Sequence, residues 1–238
     1  MSKSMFFTLL FALAFFSCQK DETLRTLDQS YQPVITAANF PNSTTISNPY
    51  FPVAEGLVYS YEGQTPDGLE TIEEQRLNIT RTVQGIECLV VNFKAYLNGH
   101  LIEEADDWYA QDKDGHVWYF GEDVNNYNPD GTIKDHSGSW EAGIDGAKAG
   151  IIMQANPLIG TTYREEYYFN EAEDEAEIMA TDLNITIPFG AFTDCLQSRN
   201  FTAIEPDLHE HKFYAPGIGL IKEINLADNS EIHLVSIH

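Results

Sequence analysis

The chain is 238 residues long and carries 37 Asp and Glu against 13 Lys and Arg, a formal net charge of −24. A field of that sign repels nucleic acid and anionic lipid headgroups, which excludes them as partners. It admits divalent cations such as Ca²⁺ and cationic ligands. About 190 residues follow the N-terminal segments, enough for one sizeable domain.

The N-terminus opens with Lys3 and an apolar run over residues 5–16 (MFFTLLFALAFF). A helix needs about 20 residues to cross ~30 Å of hydrocarbon, so this run is too short to span a membrane. It suits the apolar region of a signal peptide. Ser17 and Cys18 follow, and residues 10–18 (LFALAFFSC) resemble the lipobox of bacterial lipoproteins. The resemblance implies that residues 1–17 are removed and that Cys18 is acylated. One acyl chain holds a protein weakly to a membrane and two or more hold it stably. Gln19-Lys20-Asp21-Glu22 resembles the surface-export signal of some Gram-negative lipoproteins, which implies an outer-membrane, surface-exposed location.

Residues 18–48 then read as the acylated cysteine and a flexible tether, rich in Ser, Thr, Asn and Pro, with ITAANF the part suited to pack on the domain. A single domain is expected over 49–238. Turn signals recur at Thr65-Pro66-Asp67-Gly68, Gln84-Gly85, Asn98-Gly99, Asp112-Lys113-Asp114-Gly115 and Asn128-Pro129-Asp130-Gly131. Short Gly-containing turns between β-rich runs are the strongest local hairpin signal. The runs between them alternate, as Leu57, Tyr59 and Tyr61 do against Val58, Ser60 and Glu62. Residues 136–162, rich in Gly and Ala, read as a long ordered loop. β-like runs resume from TTYREEYYF to EIHLVSI, with EDEAEIMA among them as a strand. The expectation is an all-β fold: an antiparallel meander of roughly a dozen strands, curled into a barrel-like or strongly curved sheet because open edges invite aggregation.

The candidate chemistry falls into three sets. Trp108, Trp118, Tyr119, Trp140, Tyr167 and Tyr214, with Glu122 and Glu210 in otherwise apolar runs, suit a concave ligand pocket; the same aromatics also suit a core. Charges in such runs must be paired if buried. Asp112 and Asp114 resemble the start of a calcium loop, although the third acid and distal Glu are out of register, which leaves a hairpin turn as the competing reading. Glu173 and Asp174 belong to a dense acidic stretch. His209 and His211, two apart in a strand, would share one face with Glu210 on the other, a start for a metal site that lacks an assignable third ligand. Cys88 and Cys195 either pair as a disulfide in an oxidising compartment or stay as two buried thiols. No G-x-S-x-G elbow or assignable nucleophile–base pair occurs, so no catalytic residue is named.

Four blocks together resemble an uncharacterised family of secreted bacterial proteins and lipoproteins. They are Asp107–Asp112 with Gly115 and Val117–Glu122; Gly138–Gly143 with Asp145–Ala147 and Gly150–Met153; Tyr163–Tyr167 with Ala172–Asp174; and Glu210–Lys212 with Tyr214–Gly219. The resemblance covers residues from about 49 to 225 and implies an extracytoplasmic β-rich domain. The last block is also similar to the closing hairpin of lipid- or lipoprotein-binding periplasmic proteins. The expected role is therefore a non-enzymatic envelope lipoprotein whose domain binds a small or lipidic ligand or an envelope protein, with no cofactor. The alternative is a divalent-cation-binding or carboxylate-based hydrolytic domain.

Overall fold

A computed structural model describes residues 25–52 and 54–238, so Cys18, the signal segment and the QKDE stretch lie outside the described residues. The described chain is all β apart from one 3-10 turn at Ala37–Asn39. Five long strands form the first meander: β1 (Val58–Thr65), β2 (Gly68–Val83), β3 (Ile86–Leu97), β4 (His100–Gln111) and β5 (Val117–Tyr127). Short pieces follow at β6 (Ile133–Asp135), β7 (Trp140–Glu141), β8 (Lys148–Met153), β9 (Thr162–Arg164) and β10 (Glu166–Tyr167). A second meander completes the chain with β11 (Asp174–Ile187), β12 (Gly190–Thr202), β13 (His209–Ala215), β14 (Gly219–Asn225) and β15 (Glu231–Ile237).

The expected Gly-containing turns join the strands of the first meander. Gln84-Gly85 and Asn98-Gly99 place both central residues at positive φ (49° and 79°, 51° and 78°), the geometry of a two-residue hairpin whose twist matches that of the strands. The neighbours run β10-β8-β5-β4-β3-β2-β1-β15-β14-β13-β12-β11-β9, with β6 and β7 side by side with β5. The two meanders therefore meet where β1 pairs with β15, Tyr59 opposite Ile237.

The two ends of the sheet come together in one segment. β9 pairs with β11, and β10, two residues further on, pairs with β8. Between them the Glu165 amide donates to the Asp174 carbonyl at 2.8 Å. Residues 162–167 thus bind both edges and nearly close the sheet into a barrel, which satisfies backbone groups that an open edge would leave unpaired. Gly150 on β8 permits this: a Cβ there would strike the Glu165 carbonyl.

Residues 25–52 form a strap along the barrel, which corrects the flexible tether expected up to residue 48. Tyr31 Oη donates to the Ala149 carbonyl at 2.7 Å, Lys113 N to the Asn39 carbonyl at 2.7 Å and Gln111 N to the Ser43 carbonyl at 2.8 Å. Phe40, within the ITAANF stretch, is buried with its ring 5.6 Å from Phe120 and 6.1 Å from Trp118. Those two residues flank Tyr119 on β5 and so share the opposite face of the strand. The strap covers that face, which is why the run Val117–Phe120 is apolar or aromatic at every position. The loop expected over 136–162 is likewise corrected in part. It contains β7 and β8, and β8 is a full member of the sheet between β5 and β10.

Cys88 and Cys195 are both buried and both free. They lie on β3 and β12, with five strands between them in the sheet, and in separate hydrophobic clusters. The disulfide reading gives way to two apolar thiols. Burial pushes the Cys88 thiol up to about 12, so it stays protonated and unreactive.

Candidate functional site

The barrel interior holds a partly open cavity of about 280 Å³. Its walls come from alternate positions on the long strands: Glu70, Ile72, Glu74 and Arg76 on β2; Val91, Phe93 and Ala95 on β3; Glu103, Ala105, Asp107 and Tyr109 on β4. On the far side stand Asn200 and Thr202 of β12, Glu210, Lys212 and Tyr214 of β13, and Leu220 and Glu223 of β14. Period two is the reason: every second side chain of a strand faces one side of the sheet.

The registers sort this lining along the barrel. Glu70, Glu103 and Glu210 stand close to the turns at 65–68 and 97–100 and to the 203–208 loop. Glu223 lies opposite Lys212, and Asp174 opposite Thr202. This is an acid end. Tyr109, Tyr119, Tyr214 and Leu220 lie toward the other end, where the strap residues Tyr50, Phe51 and Pro52 also contribute. There the rings of Phe51 and Tyr109 are 5.0 Å apart and those of Tyr109 and Tyr119 4.9 Å apart. Asn48 holds this part of the strap. Its side-chain nitrogen donates to the Gly115 and Gln154 carbonyls at 3.1 and 3.0 Å, and its amide donates to Gln111 Oε1 at 2.9 Å.

Acidic side chains far outnumber basic ones in the cavity. Glu70, Glu74, Glu103, Asp107, Glu122, Glu165, Glu166, Asp174, Glu210 and Glu223 all line it, with Arg76 and Lys212 as the basic residues among the described lining. Lys212 Nζ stands 3.5 Å from Glu223 and 3.9 Å from Glu210. Burial disfavours its charge, yet Glu223 and Glu210 carry its pKa well above the usual lysine value, so it is an ammonium. Asn200 donates to Glu165 at 2.7 Å, and Tyr119 Oη donates to Asp107 at 2.8 Å.

Burial raises the pKa values of these acids. Glu70 is pushed up to about 10, by burial first and then by Glu223, Glu210 and Glu103. Burial carries Asp107 to about 7 against the pull of the Tyr119 hydrogen bond. It carries Glu74 and Glu165 to about 7 and Asp174 to about 6, each partly restrained by Lys212. Glu122, Glu166 and Glu210 are raised well above the carboxylate range by burial and by neighbouring acids. Glu74 is partly exposed, but to the cavity it lines.

Four of the eight pocket residues expected from sequence line this cavity: Tyr119, Glu122, Glu210 and Tyr214. The other four lie elsewhere. Trp108 is buried in the core, with the Arg81 guanidinium 3.8 Å over its ring. Trp140 is buried edge-on against Tyr119 at 5.2 Å. Tyr167 is fully buried, and its hydroxyl oxygen accepts from the Asp28 amide of the strap at 2.7 Å. Trp118 donates Nε1 to Asp112 at 2.8 Å.

The candidate metal residues are not brought together. Asp112 accepts from the amides of Asp114 and His116 at 2.9 Å each, which makes Asp112–Gly115 a capped hairpin turn. Glu173 pairs with Arg25 of the strap, while Asp174 faces the cavity. His209 and His211 share a face of β13 that does not line the cavity, whereas Glu210 and Lys212 do line it. Among the described residues no group of three or more His, Cys, Asp or Glu is placed to hold a metal ion.

No family model and no curated protein matches the chain. Two solved structures are similar in fold. One is a Bacteroides fragilis protein described as exported and YmcC-like in fold, with 16% identity and a TM-score of 0.45. The other is a Parabacteroides distasonis protein described as a lipoprotein, with 16% identity and a TM-score of 0.44. In each case the match covers 79% of this chain and 98% of the other.

Proposed function

We propose that this chain is an outer-membrane lipoprotein, tethered through Cys18, whose barrel binds a small amphipathic ligand without transforming it. The observation that carries the reading is the partly open cavity of about 280 Å³, with aromatic rings at one end and carboxyl groups at the other. Binding sites for small molecules are concave and combine apolar surface with polar groups that fix orientation, and this interior combines aromatic and aliphatic walls with many acidic side chains. The Ser17-Cys18 junction supports the anchor.

The test is native mass spectrometry of the full-length protein, extracted in mild detergent from its own bacterial host and labelled with palmitate. A discrete small-molecule mass released on activation, together with label lost in C18A, supports both halves of the reading. A bare polypeptide mass from repeated preparations overturns the binding half, and label retained in C18A overturns the anchor. Asp107, with its pKa near 7 and its Tyr119 hydrogen bond, favours hydrolysis as a second reading, since a general acid works best near the ambient pH. A released compound that is altered on incubation with the protein would favour that reading.

A further inference from the structure

Glu70 is 0% exposed, and neither of its carboxyl oxygens has a hydrogen-bond partner. It nonetheless faces the cavity, where Glu103 and Glu210 also line the acid end. Glu210 is 2% exposed, and its Oε2 likewise lacks a hydrogen-bond partner, with Lys212 Nζ 3.9 Å away. A buried carboxyl with no donor is costly, and native proteins rarely retain one without a use for it. A donor that is also a cation would hold both in their ionised, accepting form. A bare metal ion fits poorly, because no three ligating side chains among the described residues converge on one point. The aromatic end supplies what an organic cation needs besides charge: apolar surface for its body.

We propose that the barrel takes a small organic cation, its ammonium head beside Glu70 and Glu210 and its apolar body along Tyr109, Tyr119 and Tyr214. This rests on the reading of the cavity as a ligand site and names the chemical class of the ligand. The protons that burial forces onto these acids are what the entering cation replaces.

A series with one body and three heads tests it: n-hexylammonium, n-hexanol and hexanoate, titrated calorimetrically into the full-length protein in detergent at 0.15 M salt. The expected result is hexylammonium binding at least about tenfold tighter than hexanol, with hexanoate weakest. E70Q should weaken hexylammonium about tenfold and leave hexanol unchanged. Its melting temperature should not fall, which separates a lost contact from a lost fold. E62Q, on the partly exposed strand β1 and outside the cavity lining, should bind as the parent does. Equal affinity for the three heads, no binding of hexylammonium, or binding indifferent to E70Q each overturns the inference. Glu70-dependent binding of Ca²⁺ that displaces hexylammonium overturns it in favour of a metal site. A neutral or anionic compound released in native mass spectrometry would leave the ligand-binding reading standing while this inference falls.

Discussion

At the residue scale, Glu70 is the least compensated group of the interior. Its carboxyl has an ordinary value of 4.5 when exposed and about 10 in the fold, so at pH 8 the chain must take up a proton there to fold. Gln needs none. E70Q should therefore stabilise the ligand-free protein by about 2 kcal/mol at pH 8, part of the linkage gain being lost to a buried amide without partners. The gain should vanish near pH 4, where the acid is protonated in both states. Chemical denaturation at the two pH values checks this, and equal midpoints at pH 8 would refute it. Half of the expected pocket residues were legible because Glu122 and Glu210 are acids beside aromatic-rich runs, VWYFG and KFYA, that also hold Tyr119 and Tyr214. The run Glu70, Ile72, Glu74, Arg76 shows the same period of two as Glu103, Ala105, Asp107, Tyr109, but its outward partners Glu73 and Gln75 are polar as well. Alternation marks two faces of a strand without saying which one turns inward. In β2 hydrophobicity gives no vote, so the sequence reading missed Glu70 and Glu74.

At the scale of elements, the strap and the closing segment decide whether the cavity exists. Asn48 fixes the strap by four hydrogen bonds to Gln111, Gly115, Gln154 and Tyr50. N48A removes those made by its side chain and leaves two part-buried carbonyls without that donor. It should cost about 2 kcal/mol and raise proteolytic cleavage before residue 52, which limited proteolysis with mass mapping would detect. The segment at 162–167 closes the sheet only because β8 has no side chain at Gly150. G150A drives a methyl into the Glu165 carbonyl, and relief requires the segment to move off one edge. The expected loss is about 2 to 3 kcal/mol, with faster amide exchange at Glu165 and Glu166; a variant exchanging like the parent would contradict the closure argument. Each was visible only in part: ITAANF was expected to pack on the domain and TTYREEYYF to be β, but not as a strap and a closing segment. The strap lacks periodicity because irregular backbone binds the barrel through its own amides and carbonyls, and two- or three-residue strands are too short to alternate.

At the scale of the whole molecule, the interior sets an unusual pH dependence. Glu74, Asp107 and Glu165 titrate at about 7, Asp174 at about 6 and Glu70 at about 10, all above their ordinary values. A raised carboxyl binds more protons folded than unfolded. Its stability contribution is full below the unfolded value, near 4, and drains away as pH rises through the folded one. The ligand-free protein should thus be more stable at pH 5.5 than at pH 8.5, by at least ~2 kcal/mol, and melting curves at the two pH values test it; a higher melting temperature at pH 8.5 would contradict the buried-acid picture. Hairpin turns and alternation were enough to specify an antiparallel all-β meander, because Gly at positive φ and period-two side chains are local properties of the backbone. The Ser17-Cys18 junction is equally local. Closure by residues 162–167, the docking of the strap, the distance between Cys88 and Cys195 and the inward turn of Glu70, Glu74, Glu103 and Asp107 were decided only by the tertiary structure. Each depends on which strands become neighbours across the barrel, and that is set by packing between residues far apart in the chain.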